Sequence, residues 1–185
     1  MESEIRTPSL LVRFYLGTGT DARGRHIDEI WEWDDEELEF VHDYIQWLFP
    51  LQEPSAFNSR APRLTAADIT AFQRSGTLRA QLGKSYQRML RFYGLRLEWV
   101  DGARVVPGPE FDRRKRGWLN PNNHNHLRLT RIMTSMATLG LSDEALALQA
   151  PLLDLAVQNP SAVTRQTVAY WRRAVLDTSG DDDHA

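Results

Sequence analysis

Two groups of polar residues have the types and spacing to hold a ligand. His42 and Gln46 stand one helical turn apart beside an apolar stripe, with Tyr44 and Trp47 interleaved and Asn58 a short way on. An imidazole and a carboxamide at such an edge both need partners, because burying either one unpaired costs about 1–3 kcal/mol. They either fix a neighbouring loop or hydrogen-bond a ligand, with Tyr44 and Trp47 supplying apolar or stacking surface. The second group is the string NPNNHNHLRLTR at 120–131. His124, Arg128 and Arg131 recur at i, i+4 and i+7 there, and Asn125 sits at the expected helix start. Unpaired N–H groups and the helix dipole favour an anion at such a start. Guanidinium forks suit a carboxylate or a phosphate, and they serve equally to pair with acids of the chain itself.

Other chemistries find little support. Zero cysteines exclude disulfides, iron–sulfur clusters and thiol catalysis. His124 and His126 point to different sides of a helix, and no HExxH motif or dense carboxylate cluster is present, so no metal site is expected. Gly17, Gly19 and Gly24 are not followed by the residues of a phosphate-binding loop. That stretch reads as a flexible connection. Nothing marks a nucleophile elbow or a triad. No catalytic residue and no cofactor is assigned, and the balance leans away from an enzyme.

The elements that must position these residues are mostly helical. A central buried helix is predicted over about 35–49, capped by Asp34 or Asp35 and stopped by Pro50. It is apolar on two sides, with Leu38, Val41, Ile45 and Leu48 on one and Phe40, Tyr44 and Trp47 on the other, as expected of a helix wedged between neighbours. Thr65 with Asp68 opens a helix to about Arg74, and another runs from about Thr77 to Tyr93, stopped by Gly94. Alternation around Asp101-Gly102 predicts a small β-ribbon near 95–107, closed by a two-residue turn. Residues 110–117 are charged and poorly periodic. Further helices are expected from about His124 to Leu139 and from Ser142, where Pro151 should break or restart the chain. A last amphipathic helix carries Val168, Trp171 and Val175. The fold class is therefore mainly α: a single compact domain over 9–176 and an acidic disordered tail over 177–185.

The formal net charge of −3 divides unevenly. Residues 1–53 sum to −9, residues 54–141 to +10, and residues 142–185 to −4. The blocks either neutralise one another or leave the basic third for an anionic partner. A nucleic-acid or nucleotide binder using the 79–131 region, including Arg79, Arg88, Arg91 and the Arg113–Arg116 run, is one alternative function. An enzyme using His42 with Arg128 on a phosphorylated small molecule is a third. No apolar run of membrane-spanning length occurs, and the Met1–Thr7 start lacks the regions of a signal peptide. The expectation is a soluble, intracellular protein, cytoplasmic by default.

The longest string, His42-Asp43-Tyr44-Ile45-Gln46-Trp47-Leu48-Phe49-Pro50, followed by Glu53-Pro54 and Asn58, resembles the signature of the opioid growth factor receptor conserved region. Phe14-Tyr15-Leu16-Gly17, Met89-Leu90 with Phe92-Tyr93-Gly94, and the His124–Ile132 segment fall in the same order, so the resemblance covers about residues 10–176. It implies receptor activity for an opioid peptide of the Tyr-Gly-Gly-Phe-Met type, growth-related signalling, and nuclear or perinuclear membrane association. It supplies no catalytic residue. The leading expectation is a ligand-binding module for a small peptide or anionic small molecule. Its contacts would come from Tyr44 and Trp47, hydrogen bonds from His42, Gln46 and Asn58, and an anionic end at His124, Asn125, Arg128 and Arg131, all in one cleft.

Overall fold

Four helix starts among the described residues are set by a side chain that accepts a backbone N–H group, at Ser9, Asp34, Thr65 and Thr164. The structure, a computed structural model, describes residues 7–55 and 58–176. The expected acidic tail at 177–185 and the Met1–Arg6 start lie outside the described residues. Ten helices and one two-stranded sheet are present among the described residues, in agreement with the mainly α reading. The chain divides into two compact units, one ending at Leu82 and the other beginning at Gly83.

In the first unit, Ser9 caps α1 (Leu10–Tyr15) by accepting the Val12 N–H, and donates its hydroxyl to Asp68 at 2.6 Å. Helix α2 (Ile27–Glu32) opens at His26. The helix predicted over 35–49 is two pieces, α3 (Asp35–Phe40) and α4 (Ile45–Leu48). Helix α3 ends where Val41 turns extended, at φ −84° and ψ 133°. The turn resolves the two-sided pattern. In one straight helix Phe40, Tyr44 and Trp47 would share a face; here Tyr44 and Trp47 go inward and Phe40 is left 87% exposed. The Tyr44 hydroxyl donates back to the Leu38 carbonyl at 3.0 Å, which ties the two pieces together. Helix α5 (Ala66–Arg74) carries the predicted Thr65–Asp68 capping box. Its Phe72 stacks edge-on against Tyr15 at 4.7 Å, and Trp47 against Phe14 at 5.3 Å. The Tyr15 hydroxyl donates to the Leu48 carbonyl, so α4 is held by the aromatic core.

Helix α6 (Gly76–Phe92) bears residues of both units. The ribbon lies where alternation placed it, β1 (Leu95–Trp99) pairing antiparallel with β2 (Ala103–Pro107). Its register pairs Trp99 with Ala103, so the connection is the three residues Val100–Gly102 and not a two-residue turn. Gly94 has φ +78°, and a Cβ there would stand 2.7 Å from the Phe111 Cα; only glycine fits. The stretch 110–117 forms α7 (Phe111–Trp118), whose weak apolar period is offset by ion pairs of Arg113 with Glu110 and Lys115 with Asp112. Helices α8 (Asn125–Thr138), α9 (Ser142–Gln158) and α10 (Arg165–Arg173) complete the unit. Pro151 does not break α9. Leu148 and Leu152 on either side of it are fully buried, and α9 packs on α8, β2 and α10, which offsets the cost of about 3 kcal/mol for an interior proline.

A relay of ring donors runs through this second core. The Trp171 indole N–H donates to the His126 carbonyl, the His126 Nε2–H to the Trp118 carbonyl, and the Trp118 indole N–H to the Tyr93 carbonyl, at 2.9–3.1 Å. Burial pushes the His126 imidazole below its usual 6.5, against the Trp118 carbonyl, which pulls it up. The neutral ring is the native form, while the unfolded chain takes up a proton below about pH 6.5. The contribution to stability is therefore full above that value and is lost as pH falls from it through the lower native pKa. Urea midpoints are expected to drop between pH 7.5 and 5, and His126→Gln, which keeps a donor, should flatten that slope. Equal slopes for the two proteins would count against the assignment.

Candidate functional site

The turn between α3 and α4 faces an open pocket of about 550 Å³ in the first unit. One wall is the glycine-bearing loop after α1, which is ordered around a carboxylate. Asp21 has a fully buried side chain; one oxygen accepts the Arg23 and Arg25 N–H groups, and the other takes the Arg25 Nε–H at 2.6 Å. This replaces the flexible connection expected there. Arg25 then reaches Asp43 at 2.8 Å and Arg23 reaches the other Asp43 oxygen at 2.9 Å. The Arg25 guanidinium also lies over the Trp33 ring, 5.2 Å from its centre. Burial pushes the Asp43 carboxyl up, but the hydrogen bonds and charges of Arg25 and Arg23 outweigh it and hold the group below the usual carboxylate range.

The opposite wall is the loop after Pro50, pinned by a parallel bridge between Leu51 and Arg63. Asn58 shapes it: its amide oxygen accepts the Arg60 N–H and its own N–H donates to Ser55. Arg60 thus reaches the pocket with no ion-pair partner among the described residues. Arg23 and Arg25 are balanced by Asp21 and Asp43, so Arg60 supplies the uncompensated charge. His42 is exposed and gives its Nδ1–H to the Phe40 carbonyl at 2.7 Å. Gln46 sits at the base, 7% exposed, and its buried amide oxygen has no hydrogen-bond partner among the described residues. Trp47 lies beside it, 5% exposed.

Residues 7–180 match the opioid growth factor receptor (OGFr) conserved region. The chain belongs to that family. It is 41% identical over 140 residues to the mouse opioid growth factor receptor, covering 76% of this chain and 21% of that protein. The human receptor is 37% identical over 140 residues, covering 76% and 20%. Opioid growth factor receptor-like protein 1 of Xenopus tropicalis is 33% identical over 180 residues, covering 94% and 33%. The chain thus spans about a fifth to a third of the length of these curated relatives. No solved structure matches it.

Within the OGFr fold, four of the nine residues singled out in the sequence line this one pocket: His42, Gln46, Trp47 and Asn58. Tyr44 is fully buried behind it, edge-on to Trp33 at 5.5 Å. The other four lie in the second unit at the start of α8. Asn125 and Arg128 are buried there; the Asn125 amide oxygen accepts from the Tyr93 hydroxyl and from Arg128, both at 3.3 Å. His124 precedes the helix and is exposed, and Arg131 is half-buried. Sequence reading missed Arg23, Arg25, Asp21 and Arg60. Their signals were short: D-x-R-x-R at 21–25, and an arginine two residues after Asn58. Among the described residues no group of three or more His, Asp or Glu is placed to hold a metal ion, and no helix is long and apolar enough to cross a membrane.

Proposed function

We propose that the chain is a ligand-binding module whose site is the Arg60–Gln46–Trp47 pocket, and that its ligand is a short peptide with a free carboxylate and an aromatic side chain. The buried Gln46 oxygen carries the reading. An acceptor without a partner costs about 1–3 kcal/mol, and a peptide N–H that enters the pocket and draws the Gln46 side chain towards the opening removes that cost. Arg60 takes the carboxylate by its fork, Arg23 borders the same opening, and Trp47 offers a ring edge to an aromatic side chain. The volume falls in the range of about 300–1,000 Å³ for ligand clefts. The names of the relatives point to an opioid peptide as the ligand class. A phosphate-backbone ligand on the basic middle block draws less support, since Arg113 and Lys115 are ion-paired on their own helix.

Calorimetric titration with Tyr-Gly-Gly-Phe-Met, its C-terminal amide and a scrambled peptide tests this. The free acid should bind and the amide should bind more weakly. Gln46→Leu should weaken binding about tenfold while leaving the unliganded fold as stable as before or more so, because it removes the orphaned acceptor. Equal heats for the ordered and scrambled peptides would remove the peptide reading.

A further inference from the structure

A second concave surface lies in the other unit, between the C-terminal end of α9 and the outer face of α10. It encloses about 650 Å³ over Val163, Val168 and Ala169 and is rimmed by Arg165, Arg172 and Arg173. We propose that this groove docks an acidic amphipathic helix of a partner protein.

The inner face of α10 is already used: Trp171 and Ala174 are buried, whereas the three arginines and Ala169 are exposed. None of these guanidinium groups has an ion-pair partner among the described residues, unlike Arg113 on α7, which pairs with Glu110. Arg165 and Arg172 are two helical turns apart, about 10.5 Å along the axis. Val168 and Ala169 fall between them on the same face. A partner helix with carboxylates at i and i+7 and aliphatic residues at i+3 and i+4 reproduces that order of charge, apolar, charge. Apolar side chains bury against Val168 and Ala169 while carboxylates take the arginine forks. A nucleic-acid backbone matches the arginines but sets its phosphates against the aliphatic stripe, which favours a peptide.

The test uses the full chain and a fluorescein-labelled, end-blocked peptide of fourteen residues, with Glu at positions 1 and 8 and Leu at 4, 5, 11 and 12 in an Ala/Gln background. Its Glu→Gln counterpart and a single-stranded oligonucleotide of fourteen nucleotides serve as comparisons. Anisotropy should show binding of the Glu peptide, with the Gln peptide at least tenfold weaker. Arg165→Gln/Arg172→Gln should weaken the Glu peptide at least tenfold with an unchanged thermal melt. Arg91→Gln/Arg104→Gln, which removes the same charge elsewhere in this unit, should bind as wild type does. Equal affinity for the two peptides, insensitivity to the Arg165/Arg172 pair, or preference for the oligonucleotide would overturn the proposal.

Discussion

Replacing Asp21 with alanine is expected to lower the unfolding free energy by about 3 kcal/mol and to weaken peptide binding at least tenfold. Its carboxylate is inaccessible to solvent and satisfies three donors at once: the N–H groups of Arg23 and Arg25 and the Arg25 guanidinium. Removing one partner of a buried ion pair costs about 3–5 kcal/mol when the other charge is stranded. The lower end applies here, since Arg25 keeps Asp43 and is 20% exposed. The same change frees the loop that forms one wall of the pocket. Arg25 would then rest on Asp43 alone, and the Arg23 and Arg25 N–H groups that the Asp21 carboxylate holds in place would lose their acceptor. Asp21→Asn keeps an acceptor for the two N–H groups but turns a donor towards Arg25, so it should fall between wild type and alanine. Urea unfolding followed by tryptophan fluorescence checks the stability, and the peptide titration checks the wall. A loss below 1 kcal/mol with unchanged affinity would show that the loop holds its shape without this carboxylate.

How much of this was legible in the sequence differs from residue to residue. Local signals were read well: the Thr65–Asp68 box, the limits of α6 and α8, and the ribbon at 95–107 all depend on neighbours along the chain. Four of the ten residues that line the pocket were singled out, three of them because His42, Gln46 and Trp47 lie on one short string. The break at Val41 was not, since a wheel with apolar residues on two sides describes a buried straight helix as well as a turned one. What decides is tertiary: Tyr44 reaching the Leu38 carbonyl, and Asp43 drawn to two arginines. Summing charge by block also concealed the main electrostatic feature. Arg23 and Arg25 lie inside the −9 block and pair within it, so the acids there are not simply a reserve for the basic third. Helix α7 escaped notice because its apolar anchors are only Phe111 and Trp118, and its remaining support is ionic.

Trp171→Ala should be the most damaging single change in the second unit, costing about 3–5 kcal/mol. The ring is fully buried and packs edge-on to His126 at 5.6 Å, and its N–H closes the relay at the His126 carbonyl. Truncation opens a cavity and also removes the indole donor from that carbonyl, which keeps the Thr130 hydroxyl at 3.1 Å. Trp171→Phe separates the two contributions. It keeps most of the ring volume and deletes the N–H, so its cost should be nearer 1–2 kcal/mol. The comparison bears on the meaning of the His124–Ile132 string, which read in sequence as an anion seat. Asn125, His126 and Arg128 spend their polar atoms on Tyr93, Trp118 and one another. That arrangement gives these three side chains a packing role, and the damage from Trp171→Ala should appear as a lower urea midpoint and loss of near-ultraviolet dichroism. An unfolding free energy within 1 kcal/mol of wild type would mean that the relay does not hold α10.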